Sequence, residues 1–89
     1  MQGIYLEKRI PTLNQQRFYM ITVTRTLFGR WALIREWGRI GQPGTVREAW
    51  FETQAEADAA GEQLRQRKER RGYHIADQRT GFSQSASGC

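Results

Sequence analysis

Eighty-nine residues with a formal net charge of +5 leave room for one domain with a thin core. The single cysteine is the last residue, Cys89, which excludes an internal disulfide and a cysteine-based metal site. The opening MQGIYLEKRI lacks the apolar run of a signal peptide, and nothing approaches the ~18 consecutive apolar residues of a membrane span, so a cytoplasmic protein without membrane contact is expected.

Residues 4–10, IYLEKRI, set Ile4, Leu6 and Ile10 against Tyr5, Glu7 and Arg9, the period of a half-buried strand that Pro11 closes. PTLNQQ then reads as a loop. Residues 17–27, RFYMITVTRTL, are rich in β-branched and aromatic side chains, with Tyr19, Ile21, Val23 and Leu27 on one face and Phe18, Met20, Thr22, Thr24 and Thr26 on the other. Gly29 in FGR supplies a turn, and RWALIREW at 30–37 returns as the second arm of a hairpin. Pro43-Gly44 marks the next turn, and TVREAWF at 45–51 the fourth strand.

The period then changes. TQAE at 53–56 is a capping box, in which the Thr53 hydroxyl accepts from a first-turn N–H while Glu56 reaches back. A helix is predicted over 54–71, with Gly72 as its stop. Its apolar face is small: Ala57, Ala60 and Leu64, backed by Ala55 and Ala59 and limited by Asp58, Gly61 and Arg65. Such a face suits close approach to the sheet, under Trp31 or Trp50. The domain is expected to occupy residues 1–75, and a Ser/Gly-rich tail, disordered, residues 76–89. The fold class is α+β: a small antiparallel sheet of four to five strands with one long helix packed on it.

Catalytic constellations are missing. The one histidine, His74, has no cysteine or Ser/Asp pair to join, and no His/Cys/Asp group has metal-ligand spacing. Gly38, Gly41 and Gly44 lack the spacing of a phosphate loop, and a strand follows them. No enzyme and no cofactor is expected.

The charge points elsewhere. Residues 1–50 hold eight basic and three acidic side chains, and residues 51–89 hold six of each, so the whole excess of +5 lies in the first part. Twelve of the fourteen cations are arginine, which offers a planar fork of donors and stacks on flat groups. Nucleic acid, DNA or RNA, is the natural partner. Alternation places Trp31, Leu33, Arg35 and Trp37 on one face of the third strand, with Arg39 continuing it. Trp37 then lies at the edge of the core, with Arg35 below it and Arg39 beyond. Gly38 would let a ligand backbone approach closely. An indole takes a base or sugar on its face, and a neighbouring arginine takes a phosphate in two hydrogen bonds. A purely structural alternative buries Trp37 and pairs Arg39 with Glu36 or Glu48. The run RKERR at 67–71 complements the helix dipole, or makes a second phosphate contact.

The stretch REWGRIGQPG at 35–44 resembles the signature of the WGR domain family. NQQRFY at 14–19 resembles that family's lead-in to its second strand, LFGRWALIREWGRIG its central hairpin, and RRGY at 70–73 the close of its helix. The resemblance covers about residues 4–75. It implies a small antiparallel sheet with one helix and DNA binding, as in the DNA-dependent poly(ADP-ribose) polymerases, where the domain helps recognise strand breaks. There the motif tryptophan packs on a terminal nucleotide, and neighbouring residues lie near its phosphate. Those roles fall here on Trp37 and Arg39, and the reading of the residues adds Gly38 beside them and Arg35 and Arg17 as further phosphate contacts. Asn14 matches the lead-in asparagine, with Gln16 as the alternative. At this length no polymerase domain and no ADP-ribosyl transfer are expected. A protein partner on the same Trp37/Arg39 patch is the rival function. The chain is expected to act as a monomer.

Overall fold

The computed structural model describes residues 3–79. Five strands form one antiparallel sheet: β1 (Gly3–Ile10), β2 (Gln15–Arg25), β3 (Trp31–Arg39), β4 (Thr45–Phe51) and β5 (His74–Arg79). Their order across the sheet is β4-β3-β2-β1-β5. The first four follow one another as a meander. A helix, α1 (Gln54–Arg70), then leads from one edge of the sheet to the other, where β5 pairs with β1.

That connection sets the position of the helix. Five strands about 4.8 Å apart are about 19 Å across, and 17 helical residues at about 1.5 Å each span about 25 Å. A helix joining the two edges must therefore cross one face of the sheet obliquely. Its predicted start is present in full: Thr53 Oγ1 accepts from the Glu56 N–H at 3.2 Å, and Glu56 accepts from the Thr53 N–H at 3.3 Å. Gly72, at φ +100°, turns the chain into β5.

The covered face holds the core. Ile4 and Leu6 of β1, Tyr19, Ile21 and Val23 of β2, and Leu33 of β3 pack against Ala57 and Leu64 of α1. Ala57, Gly61 and Leu64 are the buried stripe of the helix. Gly61, which limits apolar area when read from the sequence, sits inside that stripe and lets the helix lie close. Trp31 packs against this core, whereas Trp50 lies on the opposite face, 43% exposed, beside Phe28. Leu27, expected on the inner face of its strand, stands 98% exposed in the β2–β3 turn, because β2 ends at Arg25.

The sheet also runs further than composition indicates. β5 takes in residues 76–79, which the sequence assigns to the tail. Backbone pairing with β1, from His74 opposite Glu7 to Arg79 opposite Gly3, holds an edge strand with little apolar pattern of its own. The rest of that expected tail lies outside the described residues. Among the described residues no helix is long and apolar enough to cross a membrane.

Candidate nucleic-acid interface

Strand register decides which side chains share the helix-covered face beyond the core. From β2 to β3, Tyr19 lies opposite Trp37, Arg17 opposite Arg39 and Ile21 opposite Arg35. From β3 to β4, Arg35 lies opposite Arg47 and Trp37 opposite Thr45. From β1 to β2, Lys8 lies opposite Arg17. One end of this face therefore carries Lys8, Arg17, Arg35, Arg39 and Arg47 around Trp37.

Trp37 is half-buried, as its edge position predicts. Its ring stacks on Tyr19, with centres 5.7 Å apart and planes 16° apart, and the Arg35 guanidinium lies 5.6 Å from its centre. Tyr19 is buried and meets Tyr73 edge-on at 6.2 Å. Three aromatic rings thus cross the end of the sheet from β3 to the segment after α1. Lys68 Nζ stands 4.5 Å from the centre of the Tyr19 ring, and Lys8 Nζ 5.8 Å from that of Tyr73.

Ion pairs among the described residues join Arg9 to Glu7, Arg30 to Glu52, and Arg65 to Glu62 and Glu69. Arg17, Arg35, Arg39 and Arg47 take no part in them. Arg39 does not pair with Glu36 or Glu48, since both carboxylates alternate onto the other face. The local field is felt at Lys68. Packing strips water from its ammonium, and Arg71, Arg67, Arg35 and Lys8 repel it, so its pKa lies below the ordinary 10.5.

Four of the sequence-derived residues meet here: Arg17, Arg35, Trp37 and Arg39. Asn14 lies at the same end, exposed, in the turn before β2; the Ile40 N–H donates to the Gln16 carbonyl at 2.9 Å, which ties that turn to the loop after β3. Asn14 also has a conformational role, at φ 52°, a left-handed position where asparagine is enriched. Gly38 is not part of the cluster. It alternates to the opposite face, where an added Cβ would lie 3.2 Å from Gly44 Cα and 3.6 Å from Phe18. Its missing side chain makes room for the protein's own loop, so the expected ligand approach at Gly38 is not where this glycine opens space.

Lys8, Lys68, Tyr19 and Tyr73 escape a reading by motif. Lys8 does share the alternating phase of Ile4 and Leu6, but only the strand order and the oblique helix bring it to Lys68. Among the described residues no group of three or more His, Cys, Asp or Glu side chains could hold a metal ion.

Residues 2–80 match the sequence model of the WGR domain. Over 70 residues the chain is 34% identical to an uncharacterized protein, y4dW, of Sinorhizobium fredii; the match takes in 79% of this chain and 34% of that protein, so the chain spans about a third of that relative's length. No solved structure matches the chain significantly.

Proposed function

The chain belongs to the WGR domain family, whose members serve in general as nucleic-acid-binding modules rather than catalytic domains, and from that premise we propose that it binds DNA at strand ends or breaks, with little sequence preference. The observation that carries this reading is the two like-charged cross-strand pairs beside Trp37: Arg17 opposite Arg39 and Arg35 opposite Arg47. Like charges directly opposite one another destabilise a sheet. A polyanion laid across them turns that repulsion into attraction.

The chemistry of each group suits a strand end. Stacking on an aromatic ring is worth about 1–3 kcal/mol per base, and the β4 neighbour of Trp37 is only the short, exposed Thr45. Arg39 and Arg17 are exposed and free to grip phosphate in bidentate fashion. Asn14 adds a polar group at the same end. The sole α-helix among the described residues lies against the sheet, so recognition runs through phosphate and the shape of the end rather than base edges.

Titration into a labelled nicked duplex at two salt concentrations tests this, with closed duplex and single strand alongside. The nick is expected to bind tightest, and affinity to fall with salt as counterions are released. Arg39→Gln and Trp37→Ala should weaken binding at the nick about tenfold or more, the tryptophan variant with much less effect on closed duplex. Equal loss on nicked and closed duplex would sink the end-stacking arrangement. No binding at low salt by the folded protein would remove nucleic acid as partner and leave the Trp37/Arg39 patch to a protein.

A further inference from the structure

The chain has two lysines among fourteen basic residues, Lys8 and Lys68, and the fold brings both to one aromatic side chain. Lys8 Nζ lies 5.8 Å and Lys68 Nζ 5.9 Å from the centre of the Tyr73 ring. Both are half-buried, and Lys8 also packs along Gly72, whose added Cβ would lie 3.2 Å from Lys8 Cε. Two half-buried lysines that converge on one ring, with no carboxylate ion pair to either among the described residues, repel one another unless an anion joins them.

We propose that Lys8 and Lys68 form a second anion subsite, which takes an internal phosphate of the DNA strand whose end rests at Trp37. The proposal rests on the nucleic-acid reading and deepens it. The path is continuous: Trp37 on β3, Tyr19 on β2, then Lys8 on β1 with Lys68 above. Two strand spacings, about 10 Å, separate the two ends of that path. Successive phosphates of a B-form strand are separated by the helical turn as well as by the axial rise of about 3.4 Å, so the phosphate at the lysines lies about one or two steps from the end.

The helix terminus does not oppose this. The C-terminal end of a helix carries about half a negative charge. Against it stand Arg67, Lys68 and Arg70 of the last turn and Arg71 at the cap. These cations outnumber the one carboxylate of the last turn, Glu69, and their repulsion of Lys68 is the second cause, after burial, of its lowered pKa. Lysine also suits an internal phosphate better than an end: it acts as a compact point charge and imposes no fork geometry on a strand that must pass through.

The test uses Lys8→Gln, Lys68→Gln and Lys68→Arg, titrated into the same nicked duplex, with thermal melts to confirm folding. Each glutamine variant should bind about tenfold more weakly, and the arginine variant close to the native protein. In parallel, native protein is titrated into duplexes with one neutral methylphosphonate linkage, moved stepwise inward from the nick. A loss of about tenfold at one linkage about one or two steps in is expected, and this arm holds even where a lysine variant fails to fold. Native affinity in both glutamine variants, or no internal linkage that matters, would overturn the subsite and leave end binding intact. Failure of the native protein to bind any nicked duplex would overturn both.

Discussion

At residue 44 the fold has no room for a methyl group. A Cβ there would lie 2.6 Å from the Trp37 carbonyl oxygen and 2.9 Å from Phe18 Cζ, distances that backbone and ring cannot both yield. Gly44→Ala is therefore expected to cost about 1–3 kcal/mol, read from urea unfolding, and to weaken DNA binding by shifting the backbone of Trp37. Residue type alone shows glycines around a tryptophan; it does not show on which face the glycine space opens, and Gly38 is the case in point. Lys68 makes a second prediction. Its folded pKa lies below 10.5 because of burial first and neighbouring cations second, so the unfolded chain holds that proton more tightly. Stability then rises with pH in the interval between the lowered value and 10.5, where the unfolded state binds more protons. The difference in unfolding free energy between native protein and Lys68→Gln should move in the native protein's favour over that alkaline interval. A flat difference would mean that Lys68 is not under this repulsion.

The helix shows how an element can be plain at its ends and hidden in its placement. Thr53, Glu56 and Gly72 mark both termini through local hydrogen bonding and backbone conformation, which need no partner element. Docking is different. The buried stripe is Ala57, Gly61 and Leu64, of which Leu64 alone has a large side chain. Leu64→Ala should thus cost about 2–5 kcal/mol, and Thr53→Ala about 1 kcal/mol, both measured by thermal or urea unfolding. The larger loss should also reduce DNA binding, because α1 carries Lys68 over Tyr19. The strands follow the same division. Alternation in β1, β2 and β3 shows which side chains share a face, so the grouping of Arg35, Trp37 and Arg39 is visible from spacing alone. The Tyr19–Trp37 stack and the approach of Lys8 to Tyr73 depend on cross-strand register and on β5 crossing to the far edge, and no local pattern encodes either.

Across the whole molecule, two faces of one sheet carry two kinds of surface. The helix-covered face ends in Trp37 and its cations. The other face exposes Val46 and Trp50, and the adjoining β2–β3 turn Leu27 and Phe28, with Trp50 and Phe28 ring centres 6.3 Å apart. Aromatic side chains occur on both, so aromatic content alone does not say which face meets a nucleic acid. Charge does. Arg17, Arg35, Arg39 and Arg47 share a face with Trp37 by register, whereas Arg30 beside the other cluster is paired with Glu52 at 2.8 Å. The dependence of affinity on salt separates the two surfaces. On duplex DNA, a cation that no longer neutralises its phosphate makes the slope of log K against log salt shallower by about 0.9. Arg39→Gln and Arg17→Gln should each flatten the slope by about that amount. Phe28→Ser and Trp50→Ala should leave both slope and affinity as they are in the native protein. If the Phe28 and Trp50 variants weaken binding and the arginine variants do not, the DNA lies on the opposite face, and the assignment of Trp37 as its stacking platform fails with it.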